Sequence, residues 1–198
     1  MNKLQEVKKH LHSGQVYRRA ELMEWSKSVD RHLKQLLEEG TLTKLSGGLY
    51  CCPKKTIFGK APVEERKLVA AFLKDDRFLL TSSNAYNSLG LGTTQLYNET
   101  IVYNHKRHGR FEFGGRVFDF RVNPYFPKKI TKEFLLVDLM NNLDRLAEDT
   151  ASLHTRLKEK AASFNKKNLM RAVYQYGNLQ SKKFFRNILA EDKVTYVA

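Results

Sequence analysis

Lys27, Arg31, Lys34 and Gln35 stand in the stretch WSKSVDRHLKQLLEEG. On a helix turning about 100° per residue they share the side opposite Val29, Leu33, Leu36 and Leu37, which recur at i, i+4, i+7 and i+8. Arg and Lys donate hydrogen bonds to guanine edges or phosphates, and Gln pairs with adenine. Lys27 and Ser28 fall at the start of the same helix, where free backbone N–H groups attract phosphate. Lys44, Ser46, Lys54 and Lys55 follow closely and suit phosphate contacts, which position a protein without reading sequence. Asp30, Glu38 and Glu39 work against this reading, since they repel DNA if too near. A charged helix face can also be simply solvated, and a module of this shape can dock protein.

Catalytic arrangements are weaker. Glu64-Glu65 and Asp75-Asp76 bracket a helical segment; with a Lys, such acids could hold Mg²⁺ in a nuclease. Their place at helix ends explains them without chemistry, as N-terminal acids and a solvated turn. His105 and His108 flank Lys106-Arg107 without the further ligands that a metal needs. Gly90-x-Gly92 lacks the third Gly and preceding strand of a dinucleotide loop and reads as a turn. Cys51 and Cys52 are adjacent, so they diverge on a strand and make neither a disulfide framework nor a zinc site. The expectation is a non-enzyme with no cofactor and no metal. The alternatives are a Mg²⁺-dependent nuclease and an RNA-binding accessory protein. The latter would stack bases on Phe111, Phe113, Phe118 and Phe120 beside Arg110, Arg116 and Arg121. Alternation of Phe118 and Phe120 on one face points instead to a sheet core.

The elements that must position these side chains follow from periodicity. Leu4, Val7 and Leu11 mark a first helix and Gly14 its end; QVY reads as a short strand. Arg19 to Trp25 is a second helix, with Leu22 and Met23 inward. Ser26 or Ser28 caps the third, and Gly40 ends it. TLTKL and GLYCC pair across Ser46-Gly47-Gly48. Helix, helix, helix and basic two-stranded wing is the order of a winged helix-turn-helix, whose third helix enters the major groove.

Beyond a loop through Phe58-Gly59, Pro62 to Leu73 reads as a helix, FLLTS as a strand and Ser82 to Leu89 as a short helix. TIVYNH is a strand, and RFEF and RVFDFRV form a hairpin around Gly114-Gly115. Helices then run to about Leu189, one carrying the stripe Leu135, Leu136, Leu139, Leu143, Leu146. The predicted architecture is α+β: a winged helix-turn-helix over 1–58, then a mixed α/β domain with a C-terminal helical bundle over 59–198.

The 198 residues carry a net charge of +14, which favours a polyanion as partner. Both parts are basic: residues 1–60 hold 12 Lys/Arg against 6 Asp/Glu, and 61–198 hold 23 against 15. The most lopsided segment, 151–190, has nine basic residues and one acid, Glu159. Arg156, Lys160, Lys166, Lys167, Arg171, Lys182 and Lys183 make it a second candidate surface. No apolar run approaches the ~18 residues of a membrane span. The charged start MNKLQEVKKHLH lacks the apolar core of a signal peptide, so the expected location is the cytoplasm, away from membranes.

The stretch GTLTKLSGGLYCCPKKTIFG, followed by SSNAYNSLGLGTTQLYNETIVYNHKRHGRFEFGGRVFDFR, resembles the AbiEi-type antitoxin family. The points of match are the wing with its Gly-x-Tyr-x-x-Pro junction, Ala85, Leu89-Gly90-Leu91, Thr94-Gln95, Tyr103, Gly109-Arg110 and Gly114-Gly115. They cover roughly residues 15–125. Many relatives have Val-Pro after Thr-Gln, where this chain has Leu96-Tyr97. The resemblance implies a winged helix that represses its own operon at an inverted-repeat operator in double-stranded DNA. It also implies a C-terminal domain that counters a nucleotidyltransferase-like toxin in a type IV toxin–antitoxin system, where no direct toxin complex is required.

Overall fold

The computed structural model describes residues 3–57, 59–91 and 96–191. Gly92 and the Thr94-Gln95 pair lie outside them. Along the chain run α1 (Lys3–Lys9), β1 (Val16–Arg18), α2 (Arg19–Trp25), α3 (Val29–Glu38), β2 (Thr43–Ser46), β3 (Leu49–Cys51), β4 (Lys54–Thr56) and β5 (Gly59–Ala61). Then come α4 (Glu65–Leu73), β6 (Phe78–Thr81), a 3-10 helix (Ser83–Leu89), β7 (Glu99–Asn104), β8 (Gly109–Phe113) and β9 (Arg116–Val122). The rest is helical: α5 (Lys132–Asn141), a 3-10 turn (Leu143–Arg145), α6 (Thr150–Ala162), α7 (Lys166–Tyr176) and α8 (Leu179–Glu191). The protein is thus mixed α+β. Among the described residues no helix is long and apolar enough to cross a membrane.

Two compact units form: 1–77 with 109–118, and 78–108 with 119–198. In the first, β3 lies between β1 and β2, antiparallel to both. Gly48 takes φ +75° in the turn joining β2 to β3, a conformation that costs glycine little. Glu21 starts α2 by accepting from the Arg18 backbone N–H at 2.8 Å and from its guanidinium at 2.5 Å. Leu4, Val7, Tyr17, Leu22, Val29, Leu33, Leu36, Leu42 and Tyr50 form one buried cluster. The Tyr17 hydroxyl accepts from His12 N–H at 2.7 Å and donates to His10 O at 3.1 Å, pinning the α1–β1 loop.

Four details depart from expectation. Met23 points outward, 51% exposed, where the Arg19 guanidinium lies 3.1 Å from its sulfur. Ser28 is the residue before α3 but its side chain caps nothing. Where a loop through Phe58-Gly59 is expected, Lys54–Thr56 and Gly59–Ala61 pair as a two-stranded antiparallel ribbon. Pro62 stands ahead of α4, which begins at Glu65.

The second unit pairs β6 antiparallel with β7. Residues 134–140 of α5 are all buried, and α6, α7 and α8 pack against that helix. An apolar surface all round requires such cover. The stripe Leu135, Leu136, Leu139, Leu143, Leu146 is buried throughout. Thr131, Asp149 and Asn165 cap α5, α6 and α7, their side chains accepting from Phe134, Ser152 and Asn168 N–H at 3.1, 3.0 and 3.1 Å.

Candidate nucleic-acid interface

Helix α3 owes its orientation to its inward face. Val29, Leu33 and Leu36 are buried and Leu37 is half-buried. His32 is buried beside them, and Ser26 Oγ lies 2.7 Å from its Nδ1. The same hydroxyl accepts from Ser28 N–H at 3.2 Å, so Ser26 ties the α2–α3 turn to the helix interior. Sequence reasoning passed over His32. Its position three residues after Val29 and four before Leu36 already places it on the core face.

On the opposite side Lys27, Ser28, Arg31, Lys34 and Gln35 are all exposed. Among the described residues no ion-pair partner is found for Lys27, Arg31 or Lys34. The troublesome acids are partly neutralised. Arg19 donates to both Asp30 carboxylate oxygens, at 2.8 and 2.7 Å, and that hydrogen bonding holds the carboxyl below the ordinary carboxylate range. Lys8 Nζ lies 2.5 Å from Glu39.

Lys44 is exposed on β2 and Ser46 is half-buried. Lys54 and Lys55 are exposed on β4, whose partner β5 contributes Lys60. Cys51 and Cys52 are free thiols, buried and half-buried, and burial pushes both upward from the usual thiol value.

The basic C-terminal residues belong to the second unit, and several are engaged there. Arg156 donates to Gly90 O at 3.0 Å. Lys166 Nζ donates to Leu189 O near the end of α8. Arg186 lies over the Tyr174 ring at 5.7 Å. Lys167, Arg171 and Lys183 are exposed, Lys160 and Lys182 half-buried.

Three of the four acids considered for catalysis face cations of the first unit. Glu64 faces Lys67 at 3.5 Å, Glu65 faces Arg116 at 3.5 Å, and Asp75 faces Arg77 at 3.1 Å. Among the described residues no three His, Cys, Asp or Glu side chains are grouped to share a metal ion. Phe113, Phe118 and Phe120 are buried, and Phe111 is half-buried.

A buried polar network in the second unit escaped the sequence reading. Asp138, 3% exposed, accepts from the Tyr103 hydroxyl at 2.6 Å, the Tyr86 hydroxyl at 2.8 Å and Asn142 Nδ2 at 3.1 Å. Arg121 donates to Asn142 Oδ1 at 2.8 Å and to Asp119 at 2.7 Å. Burial pushes the Asp138 carboxyl upward against these donors. Burial, then the adjacent Asp138 charge, pushes both tyrosines above 10.0. The one signal in the sequence is an acid interrupting the apolar run FLLVDLM. Among the described residues no buried side-chain polar atom of this network lacks a partner, so the network holds α5 to the sheet.

No family model and no curated protein matches this chain. Among solved structures it is similar to the crystal structure of the Rv2827c protein from Mycobacterium tuberculosis, with a TM-score of 0.57 and 14% identity, over 96% of this chain and 77% of that one. That likeness is one of fold.

Proposed function

We propose that the protein is a DNA-binding transcriptional repressor and the antitoxin of a type IV toxin–antitoxin system. In this reading the first unit is a winged helix-turn-helix. Helix α3 enters the major groove of an inverted-repeat operator, and β2–β3 is the wing along the backbone. The observation that carries it is the outward face of α3. Lys27, Arg31, Lys34 and Gln35 all face solvent, while the acid nearest Arg31 in sequence is tied to Arg19. Arg31 and Gln35 have the reach and donor chemistry to read base edges; Lys27, Lys44, Lys54 and Lys55 are placed for phosphates.

The helices of the second unit form a C-terminal bundle. Its exposed cations Lys167, Arg171 and Lys183 serve the antitoxin role against a nucleotidyltransferase-like toxin. The resemblance over residues 15–125 supports that role, and the protein performs no catalysis of its own. Co-expression tests it. The chain should relieve growth arrest by a nucleotidyltransferase encoded in its own operon, and a gel shift should detect a duplex from the same operon. Cleavage of labelled DNA or RNA in Mg²⁺ by the pure protein, lost in Asp75→Asn, would replace this reading with a nuclease.

A further inference from the structure

The β4–β5 ribbon is an unusual use of chain. Lys54 pairs with Ala61, Lys55 with Lys60 and Thr56 with Gly59. Apart from half-buried Ala61, each of these six side chains or glycines is exposed. A two-stranded ribbon is marginal in water by itself. Here one directly opposed pair consists of two lysines, which works against pairing. The ribbon has no acid to offset its three cations. Ile57, next after β4 at the tip, is 92% exposed, the highest value among the exposed large hydrophobic residues of the described chain. A lone exposed Ile is ordinary; this one is the apolar end of a ribbon whose charged side chains are all cations. Lys60 Nζ stands beside Gly40, 3.5 Å from where a Cβ there would be. Lys60 thus reaches back to the glycine that follows the C-terminal end of α3.

We propose that this ribbon is a minor-groove arm for duplex DNA: Lys55 and Lys60 bind phosphates across the groove, and Ile57 wedges between base steps and kinks the duplex. The inference rests on the first unit binding duplex DNA and adds a second, deforming contact to that site. The chemistry favours the minor groove. Lysines alone read bases poorly, whereas an apolar tip flanked by cations is the recurring means of unstacking a step and bending DNA. Phosphate neutralises the opposed lysines, so the pair that weakens the free ribbon strengthens the bound one.

The test uses the full chain and a duplex from its own operon that it shifts, labelled at both ends for energy transfer. The wild-type protein should bend this duplex by about 20–90°. Ile57→Ala, a change at an exposed position, should abolish most of the bend in the complex that forms at saturating protein. Lys55→Ala with Lys60→Ala should reduce the log–log salt slope by about 1.8, two contacts at about 0.9 each. A straight complex, or a bend unchanged in Ile57→Ala, overturns the arm while leaving α3 recognition intact. Absence of any shifted duplex overturns both readings together.

Discussion

Arg31 and Lys44 occupy different elements and are expected to fail differently when truncated. Arg31→Ala should cost about 1–3 kcal/mol on the operator and little on random DNA, lowering the specificity ratio. Lys44→Ala should weaken all duplexes alike and reduce the salt slope by about 0.9. Competition binding at several salt concentrations separates the two; equal losses on every sequence would refute the division of labour. Asp30 offers a change of opposite sign. Its carboxyl is held low by Arg19, so the pair's stabilisation is present above the ordinary carboxylate pKa and lost as pH falls through the lower native value. Asp30→Asn removes a negative charge beside α3 and frees Arg19, so affinity for random duplex should rise a few-fold in anisotropy titrations.

At the scale of elements, Ser26 and Asp138 hold helices in place by buried hydrogen bonds. Ser26→Ala leaves the buried His32 Nδ1 without its partner and should destabilise the protein by about 1–3 kcal/mol in urea denaturation. Tyr103→Phe should cost a similar amount by removing a donor from Asp138. Because burial raises Tyr86 and Tyr103 above 10.0, their contribution is complete below that value and is lost as pH rises through the native pKa. Tyr103→Phe should therefore flatten the alkaline fall in stability as well as lowering the neutral plateau. The stripe of Val29, Leu33 and Leu36 and the stop at Gly40 were legible because helical periodicity is local. Met23 was misread because its neighbour Leu22 carries the same apolar signal, and one residue's rotation turns it outward. The ribbon was invisible because KKTIFGKA has no alternation to read: nearly all of it faces water. The Asp138 network joins residues 35 and 52 positions apart, a separation no periodic pattern encodes.

For the whole molecule, the positive charge is spread through both parts of the chain and exceeds what the internal ion pairs consume. Association with any duplex should therefore depend steeply on salt, and specificity must come from the few side chains that reach base edges. The basic helices 151–190 looked in sequence like one cationic surface. In the fold Arg156 and Lys166 bind backbone carbonyls and Arg186 covers a tyrosine, so less of that charge is free than the composition suggests. Replacing Lys167, Arg171 and Lys183 together by Ala should leave operator recognition within a few-fold while impairing relief of toxicity in co-expression. A large loss of operator affinity in that variant would move the segment into the DNA footprint.

The outward face of α3 is the point on which the account turns. Its most direct test is a fluorescence anisotropy titration at about physiological salt, comparing the duplex upstream of the protein's own coding region with random duplex, for wild type and Arg31→Ala. The account predicts a specificity ratio of at least ~10³ for the wild type, reduced about 10- to 100-fold by the substitution. A ratio near one, or a high ratio that Arg31→Ala leaves unchanged, would contradict it.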